Sequence, residues 1–146
     1  IHFFDQQFDE AKAGSSIVLE LENDINVTRG DMIVKSGELP QVEKDINATI
    51  CWMDSKKLVP GTKYLVQHNT NRVLAKIDAI RNVIATDYSG ATPATQLAIN
   101  EIGEVTIKLS KALYFDKYND NKSNGAFILI DANTNTTAGV GFIKAP

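Results

Sequence analysis

Apolar residues in this chain recur at every second position, and that spacing decides most of what it can become. In Ile46-Asn47-Ala48-Thr49-Ile50-Cys51-Trp52, the side chains of Ile46, Ala48, Ile50 and Trp52 fall on one side of an extended strand, with Asn47 and Thr49 on the other. Val105, Ile107 and Leu109 alternate with Thr106, Lys108 and Ser110 in the same way, and Val73, Ala75, Ile77 and Ala79 repeat the pattern. Successive side chains of a strand point to opposite faces, so this alternation predicts sheets buried on one side. Phe127-Ile128-Leu129-Ile130 is an unbroken apolar run, as expected of a strand covered on both faces. No stretch carries the i, i+3, i+4, i+7 stripe of an amphipathic helix. The expected fold class is all-β.

Turn residues separate the alternating runs at Pro60-Gly61, Asn69-Thr70-Asn71, Ile102-Gly103 and Asn124-Gly125. Strands are therefore expected over 46–53, 62–68, 71–81, 102–110, 125–131 and 137–143. Residues 82–96, polar and carrying Thr92-Pro93, are expected to form a long loop. Six short antiparallel strands within 39–146 suggest a closed barrel, because closure leaves no open edge. Residues 1–38 offer three further strands, at 1–4, 16–21 and 31–34. Three strands of that size can neither close nor bury a core of their own. Ser36-Gly37-Glu38-Leu39-Pro40, ahead of the charged residues 42–45, predicts a linker. The chain opens on Ile1-His2-Phe3-Phe4 without a methionine, so the expectation is a piece of a longer protein. In that reading residues 1–38 are the C-terminal part of one β-domain plus linker, and residues 39–146 are a complete barrel.

Composition removes several classes of function. Hydrophobic residues make up 43% and charged residues 23%, as in an ordinary globular domain. Fifteen bases against eighteen acids give a net charge of −3, which opposes binding to a nucleic-acid backbone. The single cysteine, Cys51, cannot form an internal disulfide. With His2 and His68 it would supply at most three soft ligands, at a spacing of no common zinc motif. No apolar run approaches the ~20 residues a membrane-spanning helix needs. The N-terminus lacks the layout of a signal peptide, and the expected compartment is the cytoplasm.

Short motifs yield no chemistry. Arg29-Gly30-Asp31 is predicted to be a tight turn leading into a strand rather than a displayed adhesion tripeptide. Asn121-Lys122-Ser123-Asn124 resembles the guanine-reading Asn-Lys-x-Asp, but Asn124 stands where a carboxylate must accept from the base. No Gly-x-x-x-x-Gly-Lys-Ser/Thr phosphate cradle is present. Asp120 to Asp131 has the length and the Gly125 of a calcium loop, but Lys122 occupies a ligand position. A Cys51–His68 nucleophile pair across neighbouring strands would lack an assignable oxyanion hole and orienting carboxylate. Trp52, in register with Ile46, Ala48 and Ile50, is expected to anchor the core. Tyr64, Tyr88, Tyr114 and Tyr118 are the aromatic candidates for lining a ligand pocket. No catalytic, cofactor-binding or metal-binding residue follows, and the expectation is a barrel that touches another protein or domain.

Longer words carry a resemblance. Ala13-Gly14-Ser15-Ser16, Val18-Leu19-Glu20-Leu21 and Asp24-Ile25-x-x-Thr28-Arg29-Gly30-Asp31-Met32-Ile33 resemble the end of the second domain of translation-factor-type GTPases such as elongation factor Tu. Ile46 onward, through Ala138-Gly139-Val140-Gly141, resembles the third-domain barrel of those proteins. Cys51-Trp52-Met53, Pro60-Gly61-x-x-Tyr64, Leu97-Ala98-Ile99-Asn100-Glu101-Ile102-Gly103, Phe115-Asp116-Lys117-Tyr118 and Asn124-Gly125-Ala126-Phe127-Ile128-Leu129-Ile130-Asp131 point to one branch. They are similar to the large subunit of bacterial ATP sulfurylase, sulfate adenylyltransferase subunit 1. The chain departs from that family at Lys117, where Pro is common, at Lys122, where Arg is common, and at Asn124-Gly125-Ala126, where Thr-Gly-Ser is common.

The resemblance implies a parent that joins sulfate to the adenylyl group of ATP, giving adenosine 5′-phosphosulfate and pyrophosphate. It implies that a small subunit performs that chemistry while the large subunit's G domain, using GTP and Mg²⁺, hydrolyses GTP to drive it. No catalytic, GTP or Mg²⁺ residue transfers onto this segment. Its implied partners are the small catalytic subunit and the missing G domain, with no membrane and no nucleic acid. Residues 1–34, with unpaired strand edges, are expected to self-associate in isolation. The alternative is the tRNA-contacting barrel of a translation elongation factor, against which the net charge of −3 counts.

Overall fold

The computed structural model describes residues 1–3, 6–87 and 89–144. Strands β1 (His2–Phe3) and β2 (Gln6–Gln7) form a two-stranded hairpin. Strands β3 (Gln41–Trp52), β4 (Lys63–His68), β5 (Asn71–Ile84), β6 (Ala91–Pro93), β7 (Ile102–Phe115), β8 (Ala126–Ile130) and β9 (Thr137–Ile143) make a second, antiparallel sheet. Its order is β4-β8-β9-β3-β7-β5-β6, and β4 also pairs with β5. That extra ladder, from Lys63↔Lys76 to His68↔Asn71, brings the sheet back onto itself. The result is a closed six-stranded antiparallel barrel, with β6 as a flap on the far end of β5 and no helix among the described residues.

Alternation explains the interior. Ile46, Ala48, Ile50 and Trp52 of β3 meet Tyr64 and Val66 of β4, Val73, Ala75 and Ile77 of β5, and Val105 and Ile107 of β7 in one buried cluster. Leu58 and Leu97, both fully buried on connecting segments, bridge one another through paired backbone bonds of 2.9 and 3.0 Å.

The structure departs from the sequence expectations in definite places. The expected 82–96 loop is largely a hairpin, because β5 runs on to Ile84 and β6 returns along it with Asn82↔Pro93, Val83↔Thr92 and Ile84↔Ala91. Asn82 tolerates a strand position because its side chain bonds Glu104 of β7, donating at 3.0 Å and accepting from the Glu104 amide at 3.3 Å. Register shifts between Ile77 and Ala79 and between Ile80 and Asn82 change which side chains face inward, so Ile80 rather than Ala79 enters the core. β3 begins at Gln41, ahead of the expected residue 46, because residues 41–43 pair with residues 113–115 at the far end of β7. The run 127–130 is not covered on both faces, since Ile128 is only half-buried.

Upstream, the expected strands at 16–21 and 31–34 do not form. Isolated bridges, His2↔Val18 and Arg29↔Asp31, are what those segments show. The expected strand at 1–4 is reduced to His2–Phe3, with Phe4 outside the described residues. A strand is held by its neighbour's ladder, and these segments have no neighbour of sufficient length. Several of their apolar side chains stand in solvent, with Val18 65% and Ile33 66% exposed.

Candidate functional site

Among the described residues, polar groups gather where the upstream segment meets the barrel. Asp31 caps a turn, its Oδ2 accepting from the Thr28 amide at 2.8 Å and from the Thr28 hydroxyl at 3.1 Å. Those bonds hold the Asp31 carboxyl below the usual range, the backbone one first. Gly30 sits at φ +106°, and a Cβ there would lie 2.5 Å from Asn71 Oδ1. Asn71 in turn donates to the Gly30 carbonyl at 3.0 Å. Arg29-Gly30-Asp31 is therefore a turn seated on the start of β5, although the strand expected after it is absent.

Beside it lies a polar clasp centred on Asn124, which is buried. The Asn124 amide nitrogen donates to Asp116 at 3.0 Å, and its Oδ1 accepts from Asn69 at 2.8 Å. Asn121 donates to the same Asp116 oxygen at 2.9 Å, and Met32 Sδ lies 4.0 Å from the Asn124 amide. An aspartate at 124 could not donate to Asp116, which gives the asparagine a structural reason. The segment that resembles a guanine reader is thus engaged in internal bonds. His68, also buried, donates from Nε2 to the Asn124 carbonyl at 2.9 Å, and its Nδ1 has no partner. A recess of 360 Å³ opens between this clasp and Met32, Ile33, Val34 and Pro40.

The other residues singled out from the sequence do not converge. Cys51 lies on β3, opposite Ile102 and Val140, and β4 with His68 is not a neighbour of β3. The conceivable Cys51–His68 pair across adjacent strands is therefore ruled out. His2 lies 3.1 Å from Glu20 in the upstream segment. Tyr64 is in the core, its ring 5.3 Å from and nearly perpendicular to Trp52, and burial pushes its phenol up. Tyr114 is 41% exposed at the end of β7, Tyr118 leans on Phe142, and Tyr88 lies outside the described residues. Among the described residues, no three of His, Cys, Asp and Glu are grouped to hold a metal ion.

Two carboxylates of the barrel are tied up locally. Asp131 accepts from the amides of Asn133 at 2.7 Å and Thr134 at 3.3 Å, which hold its carboxyl down. Glu104 is held down by bonds from Lys144 and Asn82. Sequence reasoning missed the clasp. Its one signal is Gly125, where a Cβ would lie 2.4 Å from the Tyr118 Cα and force the 116–125 loop apart.

With the geometry in place, comparison with known proteins is decisive. Residues 45–144, more than half of the chain, match the family model described as GTP-eEF1A C-terminal domain-like. The chain belongs to that family. Within the GTP-eEF1A C-terminal domain-like fold, the solved structure titled Sup35 complexed with GDP superposes at a TM-score of 0.68 and 12% identity, covering 75% of this chain and 27% of that one. That likeness concerns the fold alone. The bifunctional enzyme CysN/CysC of Rhodopirellula baltica is 40% identical over 140 residues, which is 96% of this chain and 22% of that protein. Sulfate adenylyltransferase subunit 1 of Colwellia psychrerythraea is 36% identical over 141 residues, 97% of this chain and 30% of that protein. The chain thus spans less than a third of the length of these relatives. The resemblance to sulfate adenylyltransferase subunit 1 and to the third-domain barrel, drawn from residues 46–141, is borne out, as is the closed barrel. No helix among the described residues is long and apolar enough to cross a membrane.

Proposed function

We propose that this chain is the non-catalytic barrel portion of the GTP-hydrolysing subunit of a sulfate adenylyltransferase, serving as a docking body for the small catalytic subunit. The parent would convert ATP and sulfate to adenosine 5′-phosphosulfate and pyrophosphate in the cytoplasm. A G domain elsewhere in it would hold GTP and Mg²⁺, and the small subunit would perform the adenylyl transfer. The observation that carries this reading is identity of 36–40% spread over 96–97% of the chain, to relatives bearing that enzyme's name. A clasped turn and a rigid barrel suit a body that moves as one piece when its neighbours change state. Residues 1–38 are read as the C-terminal part of a preceding barrel plus linker. Their exposed apolar side chains, Val18 and Ile33 among them, support that reading, and in isolation the same face would pair with a second copy.

The test is a calorimetric titration of this chain with the small subunit, run beside tRNA at low salt. Saturable heat with the subunit and none with tRNA is the expected result. Retention of tRNA with a steep salt dependence, and no binding of the subunit, would select the translation-factor alternative.

A further inference from the structure

The loop of residues 116–125 has two working sides. One side forms the clasp that faces the upstream turn. The other walls a groove of 720 Å³ that runs over the outer faces of β3, β5, β7 and β9. The Tyr118 amide donates to the Ile143 carbonyl at 3.0 Å, and its ring lies 4.6 Å from Phe142, tilted by 56°. This pair gives the groove an apolar end held by backbone.

Three cations, Arg81, Lys117 and Lys144, line the groove. Lys144 is neutralised by Glu104. Arg81 gives one guanidinium N–H to Asn47 Oδ1 at 3.2 Å, which leaves its other donors for a ligand. Among the described residues Lys117 has no ion pair, and Asp120 is the acid left in the lining. The groove is therefore positive in a chain whose net charge is −3. Acids in its walls disfavour a phosphate backbone, which carries charge at every step, whereas a peptide can set its carboxylates apart. The upstream segment reaches the barrel at Gly30 and Met32, and none of its residues lines the groove.

We propose that this groove docks an extended acidic segment of the small subunit, its carboxylates on Arg81 and Lys117 and an apolar side chain on Tyr118 and Phe142. The partner's identity rests on the function proposed above; the groove and its chemistry do not.

The experiment titrates the small subunit into three forms of this chain: unaltered, Arg81→Glu with Lys117→Glu, and Lys63→Glu with Lys76→Glu. The last pair changes net charge equally on β4 and β5, and β4 lies across the barrel from β3. Circular dichroism first establishes that all three fold. The groove variant should bind at least about tenfold more weakly and with a flatter salt dependence, and the control variant like the unaltered chain. Equal weakening of both variants would assign the effect to net charge, and an unweakened groove variant would place docking elsewhere; either overturns the groove. Single-stranded RNA bound by the unaltered chain and lost in the groove variant would assign the groove to nucleic acid and overturn it too. A small subunit that fails to bind the unaltered chain removes both this inference and the function it rests on.

Discussion

Replacing Trp52 by alanine should lower the unfolding free energy by ~3–5 kcal/mol. The indole closes β3 with no exposed surface. Its Nε1 donates to the Lys56 carbonyl at 2.8 Å, so the ring also fixes the loop that follows β3. Tyr64 meets it edge-on at 5.3 Å, and Gly139 of β9 lies so close that a Cβ there would stand 3.0 Å from the ring. Truncation removes contacts with β4, β9 and the loop after β3 at once and leaves a cavity that closed ladders cannot collapse to fill. Trp52→Phe keeps most of the ring and loses the donor, and should cost clearly less. Urea unfolding followed by circular dichroism measures both, since the substitution removes the sole tryptophan. A loss under ~1 kcal/mol for Trp52→Ala would contradict a core role.

The second large effect comes from adding atoms. In Gly141→Ala the new Cβ would lie 2.1–2.5 Å from three atoms of the Phe127 ring, which is itself buried. Gly141 is not at a positive φ, so backbone strain is not the cause; the ring simply occupies the space. The expected loss is ~1–3 kcal/mol, the range for an overpacked core. Combining it with Phe127→Leu should restore part of the stability, making the two changes less than additive. Additive losses in the double variant would mean that ring and glycine do not compete for one site.

These two residues also mark what could be read from the sequence and what could not. Trp52 was legible because it falls in step with Ile46, Ala48 and Ile50, and period two is a local signal. Gly141 was legible as part of a family word, but its packing partner is on another strand and leaves no trace near it in the chain. Ala79 was misplaced because a bulge breaks the step between Ile77 and Ile80. β6 was hidden because a polar residue such as Asn82 looks like loop until Glu104 is known to lie beside it. The upstream segments 16–21 and 31–34 alternate well enough to suggest strands, yet pairing requires a neighbour that local pattern does not supply. The clasp was illegible for the same reason. Asn69, Asp116 and Asn124 are brought together by hairpin closure, and asparagine in a turn is ordinary until its partners are seen.

Every surface described here depends on the sheet closing through β4. Backbone hydrogen exchange at Leu65, Val66 and Gln67 tests that directly, because these residues pair with β8 on one side and β5 on the other. The account predicts protection equal to that of Ala48 to Ile50 in β3. Fast exchange along β4, as at the open edge of a sheet, would contradict it.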